Sequence, residues 1–462
     1  MTAFVQHSEA DRRRMLETIG VGAFEDLVGS VPAEIRVKGG LPLDEGRSEP
    51  ETLARLAALA ARNRSASELV CFAGGGIYDV CVPVATKAIA SRPEFATAYT
   101  PYQAEVSQGT LQVIYEFQTL VTRLTALDVA NASMYDGGTA LAEAVLLACD
   151  ARPGRRVLVS PHLHPHHRAI LDTLLAPVDV AVDELPARGA RTDLSELRPD
   201  ALEGVSAVVV QHPNFLGALE DVRLLGAALA GDDRPLCVAS VDLSSLSLLE
   251  PPGSWGADLA VGEAQSLGIP MSFGGPACGV FAARAEYVRR MPGRIVGLAH
   301  DARGQRAFTL TFQTREQHIR RAKATSNICT NQALTALMAT VSTALLGETG
   351  RRLATQLAAE KAHALAGRLA GIEGVALADP DAPFLREFAL RLPPSAAPDA
   401  LVARMAAAGI LAGIPLARVP GGGGGLLVAV TEKRSWSDLD LYVERFREAI
   451  GLGAAEPVET GR

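Results

Sequence analysis

The chain is poor in lysine. Only Lys38, Lys87, Lys323, Lys361 and Lys433 occur in 462 residues, and arginine carries most of the positive charge. Any chemistry that needs an internal amine therefore has few candidates. Cysteine is sparse as well. Cys71, Cys81, Cys149, Cys237, Cys278 and Cys329 stand singly, and no C-x-x-C pair exists to build a zinc knot or a redox motif. Cys149 and Cys237 lie in apolar stretches and read as buried thiols. Free thiols of this kind point to a reducing, cytoplasmic setting. No apolar run approaches the roughly 20 residues that span a bilayer. The first residues lack the basic-then-apolar order of a secretory signal. Net charge is −8 and pI about 5.7, which excludes a chain built as a whole to bind nucleic acid.

What is present suits a globular protein of two or more domains: hydrophobic residues make up 48% and mean hydropathy is +0.16. Ser8 to Asp11 reads as a helix start leading into Met15, Leu16 and Ile19, with Gly20 as the stop. Residues 21–50 read as an extended arm and 50–62 as an amphipathic helix. From 65 to 330, helices at 107–126, 138–150 and 166–175 alternate with apolar runs at 156–160, 178–182, 205–210 and 238–241. That alternation predicts a large, mostly parallel sheet covered on both faces, with ligands at the carboxyl ends of its strands. Helices at 331–347 and 349–371 then lead to a smaller C-terminal α/β domain. Its strands fall at 374–378, 387–392 and 424–431, and its helices near 398–408 and 436–450. The organisation expected is an arm at 1–64, a large domain at 65–330, a small domain at 331–451 and a frayed tail at 452–462.

Three features come in the order that a pyridoxal-phosphate (PLP) enzyme would show. Asp136-Gly-Gly-Thr-Ala-Leu-Ala-Glu143 reads as a glycine turn opening a helix. Its backbone N–H groups could cradle a phosphate, with a hydroxyl from Thr139, or it could be an ordinary threonine-capped turn. It is not a P-loop, since no Gly-Lys-Ser/Thr occurs. The strand Val238 to Leu243 carries an acid, Asp242. Beyond it, the segment Ala260 to Pro276 is where a Schiff-base lysine belongs, and it holds Gln265 instead.

Other motifs admit two readings each. His162, His164, His166 and His167 invite a metal, but no Cys, Asp or Glu partner is near, so no metal site is assigned. His164 could stack on an aromatic cofactor, or the cluster could be exposed helix-start histidines. Tyr99, Thr100, Tyr102 and Gln103 form a polar, proline-constrained loop that could line a site or simply cap the next helix. Arginines between Thr314 and Gln332 could hold an anion or face solvent. The run Gly421 to Gly425 reads as flexible loop.

Taken together, four motifs resemble the P-protein family of the glycine cleavage system, in its split form, from about residue 5 to residue 450. They are Tyr99-Thr-Pro-Tyr-Gln103 with Glu105-Val-Ser-Gln-Gly109; Asn131 to Ala140; Gly262-Glu-Ala-Gln-Ser-Leu-Gly-Ile-Pro270 with Phe273-Gly-Gly-Pro276; and Gln313 to Cys329. The resemblance implies a PLP-dependent transferase fold of type I. It implies the first of two homologous subunits, in an α2β2 assembly whose second subunit carries the lysine and the PLP. It also implies glycine as substrate, with decarboxylation and transfer of the aminomethyl group to the lipoyl arm of the H-protein: a glycine dehydrogenase (aminomethyl-transferring) with no catalytic residue in this chain alone. On that reading Tyr99, Thr100, Tyr102 and Gln103 reach the partner's active site. Gly137, Gly138, Thr139, His164, Asp242 and Gln265 line a vestigial cofactor pocket. Gly138 and Cys278 depart from the Ala and the frequent His expected there. The histidine cluster and the five-glycine run look local to this chain. Competing readings are a lineage-specific paralogue acting on glycine or another amino acid, a non-catalytic scaffold subunit, and an independent PLP enzyme using Lys323.

Overall fold

The computed structural model describes residues 6–37, 41–231, 233–419 and 423–451. The chain forms two compact units, Met1–Arg64 and Ser65–Arg462. In the first, helix α1 (Glu9–Ile19) obeys local rules at both ends. The Ser8 hydroxyl accepts from the Asp11 N–H at 3.2 Å, and the Asp11 carboxylate accepts from the Ser8 N–H at 3.0 Å. Gly20 closes the helix at φ +85°, a conformation open to glycine. The stretch expected to be an extended arm contains a helical turn at Phe24–Leu27, because the Asp26 carboxylate gathers the N–H groups of Gly22 and Ala23. Helix α2 (Glu49–Ala60) starts where the Glu51 carboxylate accepts from the Ser48 N–H.

The second unit is built on a seven-stranded sheet. Its strands are β1 (Val129–Ala130), β2 (Arg156–Val159), β3 (Ala181–Glu184), β4 (Val205–His212), β5 (Leu236–Asp242), β6 (Leu259–Glu263) and β7 (Gly279–Ala283). Their order is β1-β7-β6-β5-β4-β2-β3, and every pairing is parallel except the two made by β7. Strand β3 begins three residues later than its apolar run, since Pro177 sits in a 3-10 turn and Asp179 takes φ +55°. Side chains alternate between two buried layers. Val208, Val210, Ala239 and Ala260 pack with Phe117 and Val121 of helix α3 (Gln108–Thr125). Val209, Val238 and Val261 pack with Leu141 and Val145 of α4 (Gly137–Ala151) and Leu171 of α5 (Pro165–Leu175). Period-two alternation with both faces apolar is what a covered parallel sheet requires.

A hairpin, β8 (Ile295–His300) with β9 (Arg306–Thr311), follows. The long helical segment α6 (Ala333–Ala370) is broken at Gly347, φ +62°, into the two helices that the sequence indicates. An antiparallel sheet closes the unit, in the order β10 (Ala376–Leu377), β11 (Glu387–Arg391), β13 (Gly425–Ala429), β12 (Ile414–Pro415). Helices α7 (Pro398–Ala407) and α8 (Trp436–Gly451) cover it through Leu401, Met405, Tyr442 and Phe446. Of the five-glycine run, Gly421 and Gly422 lie outside the described residues, and Gly425 opens β13. The tail after Gly451 also lies outside them. Cys237 is buried as expected, whereas Cys149 is only half-buried. No described helix is long and apolar enough to cross a membrane.

Candidate functional site

A small cavity of about 60 Å³ opens at the carboxyl ends of β4, β5 and β6, where α5 begins and the small sheet arrives just before β11. Its walls include Gly76, Tyr78, His164, His167, Gln211, Asp242, Glu263, Arg386 and Glu387. Strand register places Asp242 directly across from Glu263.

Asp242 is fully engaged. Its carboxylate accepts from Arg386 at 2.5 Å, from Ser266 at 2.8 Å and from the Ser244 hydroxyl at 3.0 Å. Arg386 is 5% exposed and lies 3.8 Å from the centroid of the Tyr78 ring. A cation at that depth persists only with such a partner. The neighbouring Glu387 accepts from the Gly75 N–H at 2.7 Å and from the Tyr78 hydroxyl at 2.8 Å. Burial pushes the Glu387 carboxyl up to about 7 and holds the Tyr78 phenol well above its usual value. Gly74 must be glycine here, because a Cβ would stand 2.2 Å from the Glu387 carboxylate.

Gln265 sits in the turn after β6, 3% exposed. Its carbonyl accepts from the Tyr78 N–H at 2.8 Å. Its amide donates to the Tyr78 carbonyl at 2.9 Å and to the Ile269 carbonyl at 2.8 Å. Among the described residues no lysine lines the cavity. Lys361 donates to the carbonyls of Glu432 and Arg434, Lys433 pairs with Asp79, and Lys323 is exposed.

The glycine turn does open a helix, but acids already hold it. The Glu263 carboxylate accepts from the Gly137 N–H at 3.2 Å and from the Cys278 N–H at 2.7 Å. Asp136 accepts from both the N–H and the hydroxyl of Thr139. Burial, reinforced by Asp136, raises the Glu263 carboxyl to about 7. A Cβ at 138 would come 2.6 Å from the Cδ1 tip of Ile170, so a larger residue there requires that tip to move. PLP does not fit this set of residues. No amine is present, carboxyls take the N–H groups of Gly137 and Thr139, and Asp242 already has its cation.

His164 stacks on His167 at 4.4 Å between centroids and meets Phe215 edge-on. Its Nδ1 accepts from the His166 N–H, so Nε2 donates to the Gly75 carbonyl at 2.8 Å. Burial lowers His164 to about 4 and His167 to about 3, so both are neutral at physiological pH. Among the described residues no group of three or more His, Cys, Asp or Glu is arranged to hold a metal.

Tyr99, Thr100, Tyr102 and Gln103 are not brought to this cavity. Tyr99 is 81% exposed and Gln103 is exposed. Tyr102 lies 5.4 Å over the guanidinium of Arg294, which donates to its hydroxyl at 3.3 Å. Of the Thr314–Gln332 arginines, Arg315 donates to the carbonyls of Met291, Gly293 and Phe312, while Arg320 and Arg321 are exposed. The residues that sequence reasoning missed are Tyr78, Glu263, Arg386 and Glu387. The run Gly74-Gly75-Gly76 beside Tyr78 was the available signal.

Against known proteins, the family model for the glycine cleavage system P-protein matches residues 2–446. The chain is 48% identical to a probable glycine dehydrogenase (decarboxylating) subunit 1 of Chlorobium chlorochromatii, over 95% of this chain and 98% of that protein. It is 45% identical to the like-named protein of Geobacillus kaustophilus, over 95% and 97%. A crystal structure of a glycine decarboxylase (P-protein) of the glycine cleavage system, in inhibitor-bound form, is 44% identical. It superposes with a TM-score of 0.87 over 97% of this chain and all of that one. A Lactobacillus brevis glutamate decarboxylase shares the fold at 14% identity and a TM-score of 0.67, covering 93% of this chain and 98% of that one. The architecture is thus the PLP-dependent fold of type I.

Proposed function

The chain belongs to the glycine cleavage system P-protein family, and from that membership we propose that it is the lysine-free subunit of a split glycine dehydrogenase (decarboxylating). Its homologous partner carries the lysine and PLP, in an α2β2 assembly. The bound PLP supplies an electron sink for loss of carbon dioxide from glycine. The aminomethyl group then passes to the lipoyl arm of the H-protein. The observation that carries this reading is Gln265. At the expected lysine position stands a carboxamide spent on three backbone hydrogen bonds, inside a chain similar over nearly its whole length to subunits of this enzyme. The part of this chain in the reaction is then to complete the partner's site, with the loop of exposed Tyr99, Tyr102 and Gln103 and half-buried Thr100 as its contribution. Arg294 holds Tyr102 from beneath.

The test combines the purified chain with PLP, alone and with the lysine-bearing partner, and follows visible absorbance and glycine decarboxylation with H-protein. The reading expects turnover only when both chains are present. A borohydride-reducible adduct on this chain alone would sink it, as would a partner fully active without it.

A further inference from the structure

We propose that three side chains of this chain stand in for the three anchoring parts of the cofactor its fold was built around, and that this internal filling makes the folded shape independent of PLP. The carboxylate of Glu263 takes the place of the phosphate at the start of α4. The guanidinium of Arg386 takes the place of the pyridinium against Asp242. The carboxamide of Gln265 takes the place of the lysine link.

Each substitution is chemically apt. The start of a helix offers N–H donors and a partial positive charge to any anion. Here Glu263, reaching from the end of β6, accepts from the Gly137 N–H. A carboxylate on the end of a strand must balance a cation; PLP would bring a planar, delocalised one. Arginine brings another of the same kind, permanently charged and suited to lying against an aromatic face. Arg386 does both, binding Asp242 while lying over Tyr78. A Schiff-base lysine would tether the cofactor to the turn after β6. Gln265 instead tethers that turn to the backbone of Tyr78, which is 187 residues away in sequence.

Two of the stand-ins, Arg386 and Gln265, also help join the lobes that a cofactor would bridge. Arg386 immediately precedes β11 and Glu387 opens it, Asp242 ends β5 of the large sheet, and the 75–78 segment is pinned by both Glu387 and Gln265. Buried hydrogen bonds linking separate elements rigidify the site they occupy, although the Arg386 Nε itself has no partner.

This inference rests on the cofactor class of the fold and not on the glycine reaction. Binding is read without turnover, so either can fail alone. The full chain is titrated with PLP and with inorganic phosphate by equilibrium dialysis, and melted with and without each. The wild-type chain is expected to show no saturable binding at millimolar PLP and no shift in melting temperature. Glu263→Ala, which removes one of the two acids at the start of α4 and frees the Gly137 N–H, is expected to bind phosphate at least about tenfold more tightly. Glu263→Gln keeps an acceptor for the Gly137 N–H and loses the charge; it is expected to gain affinity too, and serves if the alanine variant does not fold. One PLP or phosphate bound per wild-type chain at micromolar concentration overturns the proposal. So does a wild-type melting temperature that rises with PLP, or a folded Glu263 variant that binds no more tightly than wild type.

Discussion

Arg386, the residue before β11, donates to Asp242 at the end of β5 at 2.5 Å, with both side chains largely out of water. The pair is the most direct electrostatic link between the two sheets in the cavity, and its loss leaves a buried charge unanswered. Arg386→Leu should destabilise the chain by about 3–5 kcal/mol, the usual cost of orphaning one member of a buried ion pair. Replacing both, Asp242→Leu with Arg386→Met, should cost far less. Urea denaturation of the two variants checks this: equal losses would mean that the pair is not what holds the residues in place.

Gln265 offers a second, uncharged test. Gln265→Met keeps the volume but strips partners from the N–H and carbonyl of Tyr78 and from the carbonyl of Ile269. Buried groups left unsatisfied cost about 1–3 kcal/mol each, less whatever water recovers. A loss of roughly 2–4 kcal/mol is expected, together with faster amide exchange at Tyr78. Unchanged exchange there would show that the carboxamide is not the tether.

The acids give a pH signature with a definite sign. Glu263 and Glu387 titrate near 7 when folded, against an ordinary value of 4.5. Between those limits the native chain holds protons that the unfolded chain has released, so their contribution to stability is full below 4.5 and lost as pH rises through 7. His164, His167 and His212, lowered to about 4, 3 and 4, act the other way, and their contribution is lost as pH falls below 6.5. Glu263→Gln removes one acid from this balance. The stability of wild type relative to that variant should fall by up to about 3 kcal/mol between pH 4.5 and 7. A difference that stays flat over a denaturation series from about pH 5 to about pH 8 would contradict the burial of an ionisable group at 263.

The exposed loop is tested by separating stability from activity. Tyr99 is 81% exposed, so Tyr99→Ala should leave melting within about 0.5 kcal/mol. Glycine decarboxylation by the reconstituted pair should fall at least about tenfold if this ring reaches the partner's site. Full activity in that variant would remove Tyr99 from the proposed site.

How far the sequence could be read depended on how local each signal was. The ends of α1 were legible because Ser8, Asp11 and Gly20 act within a few residues. Strands β4 and β5 were legible as continuous Val-rich runs. Strands β6 and β7 were not, because only short 3-10 turns separate β5, β6 and β7, so the expected alternation of strand and helix lapses there. Asp242 in the cavity wall and Gln265 in the turn beside it could be found from motif order along the chain. Their partners could not: Arg386 lies 144 residues beyond Asp242, and Tyr78 lies 187 before Gln265. Pairings at that range are set by the topology of two sheets, which no local pattern encodes. The glycine turn was legible as a turn, but whether it faces an anion depended on Glu263, placed across from Asp242 by strand register.

Gln265 also bears on how this chain could change over time. Glutamine and lysine codons differ by one base, so the genetic distance to a lysine at 265 is as short as it can be. The structural distance is longer. A lysine at 265 would strand the Tyr78 N–H that the carboxamide now receives. It would also arrive beside a helix start held by one side chain and an acid held by another. A working lysine at this position would require several coincident substitutions, so a pocket filled in this way acts as a ratchet.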